Sequence, residues 1–156
     1  MSTSRETAAR RITEIIPLVM RTLALEIRST GYLPAPAHCG LLVALSKHPY
    51  NLTELAERHA VSLPTMSSSI NTLAERGWVT RVRAADDRRV VMIEMTPAGR
   101  AVLEELTDSV ATRVSELLAD LSPDDVDQLV ESLELLRKCF ARIPECERAA
   151  GLGSLD

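Results

Sequence analysis

Between Leu52 and Thr96 the spacing of apolar residues changes rule twice, and few folds satisfy both rules in so short a stretch. Thr53 to His59 is helical in pattern, with Thr53 expected as its N-cap and Leu55 and Ala56 facing a core. Ala60-Val61-Ser62 is a turn. A second helix follows, capped by Ser62, with Pro64 in its first turn where no backbone donor is lost, and closed by Gly77. Met66, Ile70 and Leu73 form its buried stripe. From Val79 the rule becomes alternation. Val79 to Arg83 and Val90 to Met95 are β-branched runs around an Ala84-Ala85-Asp86-Asp87 tip, the pattern of a hairpin.

The face of the second helix opposite its apolar stripe is short and polar: Thr65, Ser67, Ser68, Ser69, Asn71 and Thr72. Such side chains let a backbone come close to base edges, and hydroxyl and amide groups can exchange hydrogen bonds with bases or phosphates. A solvated helix face has the same composition, so this helix alone decides nothing. The hairpin decides it. From Arg76 to Arg89 there are five arginines (Arg76, Arg81, Arg83, Arg88 and Arg89) against Asp86 and Asp87, a local net charge of +3. A basic hairpin beside a polar-faced helix predicts a winged helix-turn-helix, with a wing able to place Arg in a minor groove. Asn71 is then expected to set the preference at one or two base positions.

These residues resemble the MarR family, the multiple-antibiotic-resistance-type regulators. The matching positions are Leu55-Ala56, Val61-Ser62, Leu73 with Arg76-Gly77, and Asp87-Arg88-Arg89 followed by Met95-Thr96. The last set is similar to the family's wing pattern Asp-x-Arg-x5-Leu-Thr, with Met95 in place of Leu. The resemblance implies that Arg89 is a minor-groove wedge and that Asp87 braces its side chain. It also implies a repressor released by a small aromatic or phenolic effector lodged between the head and the flanking helices. Leu23, Ile27, Leu42 and Leu45 are the candidates for that pocket, with Arg21 or Arg28 to meet a carboxylate or simply to be solvated. Few aromatic residues are available, one Phe, one Trp and two Tyr, so an aromatic cage is hard to build. Positions 68 and 72, Arg in many relatives, are Ser68 and Thr72 here, which shifts the expected affinity to the arginine wing.

The flanks are helical. An apolar pattern of Ile12, Ile15, Ile16, Val19, Leu23 and Ile27 predicts a helix from about Ser4 to Ser29, kinked or broken at Pro17 and stopped by Gly31. A short helix from about Ala37 to Lys47, with Leu41, Leu42 and Leu45 as its core face, supports the head. After the wing, Thr96-Pro97 starts a long helix to about Asp120, and Ser122-Pro123 starts another that Pro144 ends. Glu145 to Asp156 is expected to be a loose tail. The expected division is 1–34 and 98–144 for helical dimerisation, 35–97 for the head and 145–156 for the tail. The outer helices carry apolar faces that a small head cannot cover, so a second copy of the chain is expected to cover them. Two heads would then read half-sites about 10 base pairs apart in a palindrome.

Charge supports this division. Residues 1–100 hold 13 Lys and Arg against 9 Asp and Glu, whereas residues 101–156 hold 5 against 13. The acidic part should point away from a phosphate backbone. No signal peptide or long apolar run is present, so a cytoplasmic protein without a membrane partner is expected. Nucleophile-elbow, phosphate-loop and His-Glu-x-x-His motifs are absent from the sequence, which argues against an enzyme and against a cofactor.

Cys39, Cys139 and Cys146 fit no zinc spacing and no disulfide framework. Family relatives that sense peroxide carry their thiol in the first helix, where this chain has none. Cys39 remains a thiol-switch alternative to a small buried apolar residue. His38 with Cys39 could bind a metal as some relatives do, but His38, His48 and His59 share no ligand spacing, and surface or capping histidines are expected. The remaining alternative is a protein-binding winged helix whose arginines grip an acidic partner.

Overall fold

The computed structural model describes residues 3–141; the expected tail, Pro144 and Cys146 lie outside that range. The order of elements is α1 (Ser4–Thr30), α2 (Ala37–Leu45), β1 (Tyr50–Asn51), α3 (Leu52–Arg58), α4 (Leu63–Glu75), β2 (Val79–Arg83), β3 (Val91–Met95), α5 (Pro97–Leu117) and α6 (Pro123–Ala141). The fold is mainly helical with a small antiparallel sheet, as the apolar periods require. The strand order is β1-β3-β2.

The core sits in the head. Leu42, Leu55, Ile70, Leu73, Ile93 and Leu106 are fully buried, and they come from α2, α3, α4, β3 and α5. Truncating any one to Ala removes about 2–5 kcal/mol of stability. Leu106 ties the middle of α5 into that core, with Val102, Leu103 and Val110 packed beside it. α1 lies along α5, where the Arg113 guanidinium reaches the Glu26 carboxylate at 3.4 Å.

Several expectations change. Asn51, not Thr53, caps α3. Asn51 Oδ1 accepts from the Glu54 N–H at 2.9 Å, and the Glu54 carboxylate accepts from the Asn51 N–H at 2.9 Å. This reciprocal box satisfies two free donors at once, which a cap at Thr53 would not. α1 passes through Pro17 without a break, because helix flanks the proline on both sides and only one backbone donor is missing. α5 ends at Leu117, earlier than expected, and Leu118 to Leu121 form a turn closed by the Leu121 N–H on the Leu118 carbonyl. β1 is an additional strand. Its two residues become strand only by pairing with Ile93 and Met92 of β3.

Candidate nucleic-acid interface

The second helix of the head, α4, starts as its sequence dictates. Ser62 Oγ accepts from the Thr65 N–H at 3.3 Å and lies 2.8 Å from the Thr65 hydroxyl. At the far end Gly77 takes a φ of 72°, the left-handed region open to glycine, and the Trp78 N–H bonds back to the Leu73 carbonyl. Met66, Ile70 and Leu73 are buried as their spacing requires. Thr65, Ser68 and Asn71 are exposed along one line of the helix, three residues apart. Ser67, Ser69 and Thr72 are half-buried, and the Thr72 hydroxyl donates to the Ser68 carbonyl at 3.1 Å. Pro64 is exposed in the first turn.

The wing pairs β2 with β3 in a register that sets Val79 opposite Met95, Arg81 opposite Ile93 and Arg83 opposite Val91. Arg81, Arg83, Arg88 and Arg89 are all exposed. Arg81 Nη2 donates to Asn71 Oδ1 at 2.6 Å, which joins wing to helix. Arg76 lies with its guanidinium 5.1 Å from the centre of the Trp78 ring, a cation–π contact that directs it along the head. At the tip, Asp87 Oδ1 accepts from the backbone N–H of Arg89 at 2.9 Å, and the Asp87 carbonyl accepts from Val90 N–H. The contact Asp87 makes is thus to the wing's backbone rather than the Arg89 side chain. A short carboxylate two residues upstream reaches the main chain more readily than a guanidinium extended into solvent.

The expected effector residues differ in burial. Leu42 is 0% and Leu45 3% exposed, sealed inside the head, since both fall on the core face of α2. Ile27 packs against that core from outside, Leu23 is half-buried, and Arg21 and Arg28 are exposed.

His38 is buried, not at the surface or in a cap. It precedes Leu41, Leu42 and Leu45 at intervals of three, four and seven, so it belongs to the same core face. Its Nδ1 is buried without a hydrogen-bond partner, and burial followed by the nearby Arg76 charge holds its pKa below the ordinary 6.5. His59 ends α3 half-buried, its Nε2 likewise without a hydrogen-bond partner, and is lowered by burial and then by Arg58. His48 is exposed, with Nδ1 2.9 Å from the Pro49 carbonyl. Burial pushes the Cys39 thiol up, which makes it a poorer nucleophile and weakens the case for a thiol switch. Among the described residues no group of three or more His, Cys, Asp and Glu is placed to hold a metal. No described helix is long and apolar enough to cross a membrane.

Comparison with known proteins converges on the same head. Residues 33–90 match the model of the MarR family. The transcriptional repressor YetL of Bacillus subtilis is 31% identical over 93 residues, which are 60% of this chain and 56% of YetL. The chain spans about half the length of the curated relatives it matches, 56% of one and 48% of another. The crystal structure of the transcriptional regulator BldR from Sulfolobus solfataricus is 27% identical, with a TM-score of 0.65, over 91% of this chain and all of BldR. The repressor CouR, solved bound to a 23-mer DNA duplex, shares the fold at 24% identity and a TM-score of 0.61, over 87% of this chain and 99% of CouR. These relatives are named as regulators of transcription, not as enzymes. A family model that matches the head, a relative that aligns with it and solved structures that share nearly the whole architecture agree: residues 33–90 are similar to the MarR family, and the fold around them is that of solved transcriptional regulators.

Proposed function

We propose that the chain is a homodimeric, sequence-specific regulator that binds double-stranded DNA through residues 35–97 and pairs through 1–34 and 98–144. The observation that carries this reading is the side-by-side placement of an exposed polar line on α4 and an arginine-bearing wing. Ser62, Pro64, Thr65, Ser68 and Asn71 face a major groove, while Arg83, Arg88 and Arg89 extend over backbone and minor groove. CouR, a fold neighbour solved on a duplex, supports DNA as the partner. Repression is supported by the description of YetL as a repressor. A regulator of this kind acts in the cytoplasm, where bacterial and archaeal DNA lies.

Dimerisation is supported by apolar faces left open on the outer helices. Leu18 and Met20 of α1 and Val130, Leu133 and Leu135 of α6 are all at least half exposed, and α6 buries none of its described residues. Ile12, Ile16, Leu133, Leu136 and Phe140 line an apolar groove between α1 and α6 that a second copy would cover. Release by a small aromatic or phenolic effector rests on the family resemblance. With Leu42 and Leu45 sealed, such a ligand is left the Leu23, Ile27, Arg21 and Arg28 side of α1.

The test is selection of a duplex from a random pool at about 150 mM salt, then titration of the winner over a salt series with the parent and with Arg89→Ala. The expected winner is a palindrome with half-sites about one helical turn apart, bound with a steep salt slope. Arg89→Ala should lose about 1–3 kcal/mol. Failure of any duplex to enrich would mean that the head grips protein instead, or that the purified form already holds its releasing ligand. Equal binding by Arg89→Ala would remove the wing wedge.

A further inference from the structure

Arg81 begins on an unexpected side of the sheet. Alternation along β2 puts Val79, Arg81 and Arg83 on one face and Thr80 and Val82 on the other. Val79 is buried on the first face, and so is Ile93 directly opposite Arg81. Arg81 therefore leaves β2 on the core side, at the edge of a sheet whose order leaves β2 outermost. α4 packs against β2 at that edge. Arg81 Nη2 meets Asn71 Oδ1 at 2.6 Å in that notch, both side chains exposed.

The partner is neutral, and that matters. Arg11, Arg113 and Arg137 are held by the carboxylates of Glu14, of Glu26 and Glu116, and of Glu134. Those pairs cancel the guanidinium charge. An amide oxygen orients a guanidinium through one of its five N–H donors and leaves the charge and the other donors available to an outside anion. The same bond takes one of the two acceptor sites on the oxygen that Asn71 would turn to adenine, and it orients the amide toward the wing.

We propose that Asn71 is a positioning residue that holds Arg81 for a DNA phosphate in the notch between α4 and the wing, and that it does not read a base. The inference rests on the DNA-binding reading above. A phosphate contact at this point fixes the angle between helix and wing on the duplex and carries no sequence information.

A double-mutant cycle on the selected duplex tests it, with the parent, Asn71→Ala, Arg81→Ala and the double variant titrated over the same salt series. Each single change should weaken binding by about tenfold, and the double variant should bind no more weakly than Arg81→Ala alone. Removing Arg81 should also lower the salt slope by about one. Base preference should be the same for the parent and Asn71→Ala when each is profiled against all single-base changes of the duplex. Asn71→Asp separates positioning from simple tethering: it keeps an acceptor but cancels the charge, so it should bind more weakly than the parent. Additive losses, or a base position at which Asn71→Ala alone relaxes preference, would overturn the proposal. A parent that enriches no duplex fails earlier and differently, since it removes the DNA reading itself.

Discussion

A side chain at position 99 would have nowhere to go. A Cβ there would sit 2.1 Å from the Trp78 carbonyl oxygen, main chain that cannot swing aside, where α5 leaves the wing. Gly99→Ala should therefore destabilise the head by about 3 kcal/mol, read as a lower urea midpoint at unchanged slope. His38 and His59 make a second prediction. Both are held below the ordinary 6.5, by burial first and by Arg76 and Arg58 second. Between the lowered and ordinary values the unfolded chain takes up protons that the folded head refuses, so stability is complete above about pH 6.5 and falls with acid below it. Urea unfolding at pH 7.5 and 5.5 should show that fall, and His38→Gln should reduce it; an unchanged difference would clear His38. Single-residue roles were legible in sequence where local grammar governs them, as for the Ser62 cap, Gly31 and Gly77. The Asn51 box and the core histidine were present in the spacing but outweighed by Thr53 and by the ordinary preference of His for the surface. The Asn71–Arg81 bond was not legible, because it depends on which face of β2 meets α4.

The helices were readable because each pairs an apolar stripe with a local stop or start signal. Capping residues Ser62, Thr96 and Ser122 all accept the backbone bond their positions promise. β1 was not readable: two residues have no period, and only β3 makes them a strand. At this scale α6 offers the sharpest test. Leu133 is 54% exposed on a helix with no buried described residue, so a charge there costs a lone chain almost nothing. Leu133→Glu should leave the head's urea midpoint in place while sedimentation at micromolar concentration shows monomer and operator binding disappears. An intact dimer would take that face of α6 out of the pairing surface.

Seen whole, the molecule separates its charges along the chain: arginines gather on the wing while the segment after residue 100 carries an excess of eight negative charges. Such a distribution turns the basic end toward a polyanion before contact is made. The sequence showed this separation plainly, but not how the two parts are joined. That joint is tight. Thr96 Oγ1 bonds the Gly77 carbonyl at 2.6 Å and accepts from the Gly99 N–H at 3.1 Å, and the Thr96 N–H bonds the Trp78 carbonyl at 2.9 Å. α5 then runs for 21 residues, about 30 Å, from that anchorage. Leu106 and Val110 hold it against the head well beyond that anchorage, so head and helix turn together as one lever and a tilt of a few degrees is magnified into ångströms at the far end. Movements at the distant end are geared down in the same ratio on their way back, which lets a coarse displacement there trim the angle of the wing finely.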